Sequence, residues 1–326
     1  MNNEHKFLAV VATTHRDRHG DRFTKEALEQ AVEDFRASDQ PLWMNWDHQT
    51  TLPPIGITTA LKVEPREDGE FQLVAEGEFL DSGHYELLPQ SEISGLDIIW
   101  AQVAELLNNI ELSAEGHIEI SYDHINFAPA EVAPVIRSLN ELVPTEERHR
   151  ARKSFVPQPV IWVLVEFAGG IIARFGEVTA DKFMKAASAF YKDLSERFAK
   201  FLEIKPAERP DVIFSIPIPN SSTTVEGAVE EADKASLEVA WRKLPELYAI
   251  ASHSIGQNQK DYFLEMKFLF NPSSKNWEIN FFTTRKTRKV IQGPRYYDPS
   301  HPLRGRYERE LERIKGMNSK GTSFSN

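Results

Sequence analysis

Three groups of residues in this 326-residue chain have types and spacings suited to chemistry. The first is His15, Asp17, His19 and Asp21, which Asp47 and His48 could join. Imidazole and carboxylate donors of this kind hold Zn, Mn or Fe. The same alternation ahead of a helix is also what a solvated turn looks like, and no fixed ligand spacing is met. The second is His48 in WDHQTTLPPIG, beside Asp47 and just before a proline-rich loop. An imidazole titrates near neutrality, so a histidine at a strand end suits a general base; a hydrogen-bonded structural histidine is the plainer reading. The third group carries two serines, Ser113 in ELSAEGH and Ser121 in EISYDH. A serine nucleophile needs a base within reach and a third group that orients the base. Glu115, His117, Glu119, Asp123 and His124 are the acids and imidazoles close by, although such residues on strands are also ordinary surface positions. No phosphate-binding glycine loop, HExxH or GxSxG is present. The chain has no cysteine, which excludes thiolate nucleophiles, disulfides, cysteine-ligated zinc and iron–sulfur clusters.

These residues need elements to hold them. Phe7 to Thr13 reads as an apolar strand, and Thr24 as the N-cap of a helix over 25–35 with Ala27, Leu28, Ala31, Val32 and Phe35 on one side. PLWMNWDHQ reads as a strand ending in a loop punctuated by Pro53, Pro54 and Gly56. Residues 57–65 and 71–80 make a hairpin around the turn Arg66–Gly69. Periodicity predicts a helix over 96–107 and a strand-rich stretch over 110–127, with Ile118, Ile120 and Tyr122 alternating. Beyond a charged stretch, PTEERHRARKS, the chain predicts strands at VIWVLVEF, IIARFGEV and 211–219. Helices are expected over 180–202 and from Glu226 to Tyr248, the latter ended near Pro245. A second hairpin spans 261–270 and 277–286, and the end, MNSKGTSFSN, reads as disordered. Hairpins outnumber strand–helix–strand units in this reading, so the expected class is α+β with mostly antiparallel sheets.

Length and composition (41% hydrophobic, 27% charged) suit a globular protein of about two domains. The expected division is 1–143, a charged linker at 144–155, an α+β domain at 156–290, and a basic tail at 291–326. The longest apolar run, Val156 to Phe175, is broken by Pro157, Pro159, Glu166 and Arg174 and reads as buried strands rather than a membrane span. The opening MNNEHKFLAVV is too short in apolar residues for a signal peptide, so a soluble cytoplasmic protein without a membrane partner is expected. Net charge is −11, yet residues 283–326 carry eleven Lys or Arg against four Asp or Glu. The rest of the chain is therefore strongly acidic and repels nucleic acid. The tail interleaves Arg with Tyr296, Tyr297 and Tyr307, a composition that gives at most weak nucleic-acid contact. A charged helix and loop docked on the acidic body is the plainer reading.

Taken in order, the features of the first 135 residues resemble the prohead (capsid maturation) serine proteases of tailed phages, which share the fold of the herpesvirus assemblins. The resemblance rests on DRHGDRF followed by a helix, and on PLWMNWDHQTTLPPIGITTAL as the histidine segment with its Pro-Ile-Gly turn. The EDG hairpin, FQLVAEGEFLD, the serine segment ELSAEG and EISYDHINFAPA follow in the family's order. The match covers about 40% of the chain. It implies a mostly antiparallel, barrel-like protease domain with flanking helices; the region beyond Ala151 departs from the family and reads, from its own pattern, as a second α/β domain with an antiparallel sheet. The resemblance also implies His48 as base, Ser113 as nucleophile and Glu119 as the third member, with backbone N–H groups near Gly116 stabilising the oxyanion. Ser113 and Glu119 are only six residues apart, closer than the family's usual interval, so Ser121 stands as the alternative nucleophile. The substrate implied is a capsid or scaffold protein in a host cytoplasm or procapsid. No cofactor or metal is expected; the resemblance leaves a homo-oligomer open, since assemblin-like proteases are often activated by dimerisation. Two other readings stand beside it: a non-catalytic assembly or interaction protein keeping a degenerate protease fold, and a metal-dependent hydrolase using His15, His19 and His48.

Overall fold

The computed structural model describes residues 6–16, 22–38, 40–45, 51–88, 117–122, 126–148, 160–165, 192–204, 209–218, 221–257, 263–296, 309 and 312. It groups the chain into two compact units, one of Met1–Leu87, Ala151–Phe155 and Arg285–Asn326, the other of Leu88–Arg150 and Val156–Thr284. Both mix helices with sheets, and strands predominate. Among the described residues, no helix is long and apolar enough to cross a membrane.

The first unit is built from β1 (Lys6–Thr13), α1 (Lys25–Ala37), β2 (Leu42–Met44), β3 (Gly56–Pro65), β4 (Phe71–Phe79) and β5 (Tyr85–Leu87). The first four strands form an antiparallel sheet in the order β1-β4-β3-β2. Thr24 caps α1 as expected, its hydroxyl accepting from the Ala27 N–H at 3.2 Å. Leu28 and Val32, one helical turn apart, are the buried side of α1 and join Phe7, Ile55, Leu61, Leu73 and Phe79 in the core. The β3–β4 turn closes with Gly69 at φ 83°, a left-handed conformation that glycine adopts without strain. Gly77 is needed for space instead: a Cβ there would lie 2.3 Å from the Phe7 ring and 2.4 Å from the Ile57 carbonyl oxygen. The Phe7 ring therefore lies across the sheet and packs on Phe79 at 5.4 Å between centroids.

The second unit comprises β6 (Ile118–Tyr122), α2 (Pro129–Asn140), β7 (Thr145–Glu147), β8 (Val160–Val165), α3 (Lys200–Ile204), β9 (Asp211–Pro217), β10 (Thr224–Val229), α4 (Lys234–Arg242), α5 (Leu244–Gln257), β11 (Phe263–Asn271) and β12 (Asn276–Thr284). Residues 192–198 are also helical. The strands lie in the order β12-β11-β10-β9-β8-β6-β7. Pairings alternate along this sheet: β12–β11, β10–β9 and β8–β6 are antiparallel, whereas β11–β10, β9–β8 and β6–β7 are parallel. A parallel pair requires a crossover. Helices supply it each time: α2 between β6 and β7, residues 192–204 between β8 and β9, and α4 with α5 between β10 and β11. The second sheet is thus mixed rather than antiparallel.

One side of this sheet is an aromatic core. Phe127 meets Phe201, Phe201 meets Phe198, Phe198 and Phe214 both meet Trp241, and Phe214 and Phe270 both meet Trp277, with centroids 4.7–6.4 Å apart. Gly227 of β10 lets α5 approach on this side, since a Cβ there would lie 2.6 Å from Leu247 Cδ1.

Three expectations change. Residues 224–229 are a strand, not the start of a helix: hydrogen bonding to β9 on one side and β11 on the other outweighs the local helical preference of EGAVEEA. Pro245 opens α5 rather than ending a helix, because the first turn has no intrahelical use for its missing N–H. Within the stretch expected to be a linker, Thr145–Glu147 is a strand of the sheet, and β6 hydrogen-bonds to β8. The last strand, β13 (Val290–Gln292), pairs in parallel with β5, and Tyr296 is buried in the first unit's core. Part of the expected tail is therefore structural, and Tyr296 is not displayed for stacking.

Candidate functional site

The stem of the histidine segment is firmly held. Met44 and Gly56 are register partners of β2 and β3, and the Met44 carbonyl accepts from the Ile55 N–H at 2.9 Å. The Ile55 carbonyl accepts from the Leu80 N–H at 2.9 Å, and the Tyr85 hydroxyl donates to the Pro54 carbonyl at 2.9 Å. Residues 51–55 are all buried. Two prolines in this run bring no N–H that burial would leave unpaired, which is why TLPPI can be sealed into the core. His48 and Asp47 lie outside the described residues, as do Asp17, His19 and Asp21.

His15 is committed to the β3–β4 turn, its Nε2 lying 3.0 Å from Asp68 Oδ2. Beside it the Thr14 hydroxyl donates to Glu70 and accepts from the Phe71 N–H at 2.8 Å. Arg22 adds Nε to the Thr14 carbonyl at 2.9 Å and Nη2 to Glu70 at 3.3 Å. The Thr14 bond first, then the Arg22 and His15 charges, hold the Glu70 carboxyl below its ordinary range. Among the described residues no three His, Asp or Glu side chains gather as a metal centre.

In the second unit, β6 carries the other candidates. Ile118, Ile120 and Tyr122 alternate as expected and are buried, with Tyr122 edge-on to Phe127 at 6.3 Å. Glu119 and Ser121 therefore share the opposite face. Glu119 is fully engaged: Arg148 Nη1 donates to its Oε2 at 2.6 Å, and His117 Nε2 lies 3.4 Å from its Oε1. Burial pushes the Glu119 carboxyl up, but the bonds and charges of Arg148 and His117 together outweigh this and leave it below the usual range. The imidazole that Glu119 orients here is thus His117, with Arg148 competing for the same acid. Ser121, a register partner of Trp162, is only 4% exposed, and its hydroxyl has no hydrogen-bond partner. Burial in this place denies it to a protein substrate. Ser113, Glu115, Gly116, Asp123 and His124 lie outside the described residues.

A polar row in the second unit went unread in the sequence. Ser215, Glu226 and Lys267 are successive register partners on β9, β10 and β11, and Thr283 of β12 is the partner of Glu265. Their side chains leave the face turned away from α4 and α5, because Phe214 and Gly227 face those helices. Lys267 Nζ donates to Glu226, and the Ser215 hydroxyl to the same carboxylate at 3.4 Å. The available signal was the alternation of Glu265 and Lys267 with Leu264, Met266 and Phe268 in a strand otherwise apolar. Comparison of the chain with protein-family models, curated proteins and solved structures gives no match in any of the three.

Proposed function

We propose that the chain is a serine endopeptidase of the prohead-maturation type, acting on protein substrates with His48 as general base. The observation that supports this best is the clamped stem that flanks the histidine segment: the Met44/Gly56 pairing on one side and the buried 51–55 run on the other. A base is useful only when a rigid scaffold holds it. In this reading Ser113 attacks the scissile carbonyl, His48 takes its proton and returns it to the leaving amine, and an acid orients the imidazole. The engagement of both Glu119 oxygens makes Glu119 a poor choice for that acid.

The same engagement, together with the sealed Ser121, favours a second reading: an assembly or interaction protein that keeps the fold without the chemistry. A fluorophosphonate that labels serine nucleophiles separates the two, combined with an intact-mass time course on wild type, Ser113→Ala, Ser121→Ala and His48→Ala. The protease reading expects one labelled serine, lost in Ser113→Ala and in His48→Ala. An unlabelled wild-type chain of constant mass would move the weight to the assembly reading.

A further inference from the structure

The buried run 51–55 that follows the histidine segment is backed by residues from two distant parts of the chain. Its Pro54 carbonyl is buried, and among the described residues the Tyr85 hydroxyl is the donor it receives, at 2.9 Å. Tyr85 opens β5, and β5 pairs in parallel with β13, Val290 opposite Tyr85 and Gln292 opposite Leu87. Three residues make too short a strand to hold itself, so β5 takes its place from β13. Lys289 fastens the same junction: its ammonium donates to the Gly83 carbonyl and lies 2.9 Å from Glu86 Oε1. Beyond β13 the chain makes one more turn, closed by the Tyr296 N–H on the Gly293 carbonyl at 3.1 Å. That turn puts Tyr296, 3% exposed, into the same core as Leu52 and Ile55.

The 51–55 run is therefore reached twice from the C-terminal stretch. One route is polar: β13 places β5, and Tyr85 of β5 holds the Pro54 carbonyl. The other is apolar: Tyr296 packs in the core that Leu52 and Ile55 share. A buried carbonyl that loses its donor stays desolvated with nothing in return. The run would then shift, and the histidine segment is joined to it directly. We infer that Tyr85 and Tyr296 are positioning residues for the histidine segment, so that the general base is held in place only when residues 290–296 are docked. The role of the base rests on the protease reading; the hold of the two tyrosines on 51–55 does not.

The test uses the full chain with Tyr85→Phe, which removes only the hydroxyl, and Tyr296→Leu, which removes the ring. Thr24→Ala, which loosens α1 in the same unit, is the control for general destabilisation. The first readout is amide exchange, followed by mass spectrometry on a peptide spanning 51–56. Tyr85→Phe should speed exchange there by at least about tenfold, the scale of a buried carbonyl left without its donor, and leave 71–79 unchanged. Tyr296→Leu should speed it as well. The second readout is fluorophosphonate labelling. The limiting rate constant should fall at least about tenfold in Tyr85→Phe, with half-saturation and the final labelled fraction unchanged, because a displaced base slows the step itself. Partial unfolding lowers the labelled fraction instead. Exchange at 51–56 that neither tyrosine variant changes would overturn the proposal. So would an equal rise in Thr24→Ala, or a labelling loss confined to the final fraction. A wild type that never labels, with the exchange changes present, would sink the protease reading and still support the coupling of 290–296 to 51–55.

Discussion

The two units differ in which polar atoms they bury without a partner. In the first, the polar residues around the histidine segment sit at the surface and are paired: His15 with Asp68, Arg22 with Glu70, Lys62 with Glu64 and Glu76. The buried Thr14 hydroxyl has partners, and the core beneath is aliphatic and aromatic; the Trp43 indole N–H of β2 is buried without one. In the second, Ser121, Glu265 and Thr283 bury oxygens without a partner, as Trp241 and Trp277 bury their indole N–H groups. Exposed pairs of the first kind add little to stability. Unsatisfied buried atoms subtract from it. The contrast separates an indole N–H buried beside the histidine segment from hydroxyl and carboxylate atoms buried on the second sheet.

The largest expected effects test whether each unit has its own packing keystone. Trp241→Ala removes a fully buried indole that touches Phe198 and Phe214 and should cost about 3–5 kcal/mol by urea unfolding. Gly77→Ala should cost about 2–3 kcal/mol, because the Ile57 carbonyl that its Cβ would strike is backbone and cannot retreat. Gly227→Ala should cost less, as the atoms it meets belong to the Leu247 and Trp277 side chains. Equal losses at Gly77 and Gly227 would break this ranking.

The next prediction sharpens the contrast through pH. Glu119 is held below its ordinary range, so its contribution is present above about pH 4.3 and is lost as pH falls through the lower folded value. Arg148→Ala should cost about 1 kcal/mol at neutral pH and flatten that acid limb. Glu265 is shifted the other way. Its folded state holds the proton more tightly than the unfolded one, so stability falls as pH rises from about 4.3 through the raised folded value. Glu265→Gln should abolish that decline. Stability curves of the two single variants against wild type would show opposite changes in slope; the same sign in both would contradict the assignment. Thr24→Ala is the smallest change, with loss of the α1 cap costing about 0.5–1 kcal/mol in thermal unfolding.

Several elements were legible because their signals are local. The Thr24 cap, the EDG turn that needs Gly69 at positive φ, and the NPSSKN turn between β11 and β12 each follow from a few adjacent residues. The strand β10 was not legible: its Glu, Gly and Ala suit a helix in isolation, and only two flanking strands make it extended. Nor was α2, whose sequence, PAEVAPVIRSLN, holds prolines at its first and sixth positions. The first lies where the helix has no use for an N–H, and Pro134 is carried by burial of Val132, Val135 and Leu139.

What the sequence alone determined is which side chains leave the same face of an element, since that depends only on period: Ile118 with Ile120 and Tyr122, and Glu265 with Lys267. What only the tertiary structure decided is whom they meet. Glu119 is bonded by Arg148, 29 residues away, because β6 and β7 run in parallel around α2. Lys267 reaches Glu226, 41 residues away, because α4 and α5 bring β11 back beside β10. Thr283 and Glu265 are left facing each other without partners because β12 folds back on β11 in that register. Alternation is a property of one chain segment, whereas register and crossover are properties of two. That is why Glu119 was visible as a candidate while its partner was not, and why the row of Glu226, Glu265 and Lys267 went unread.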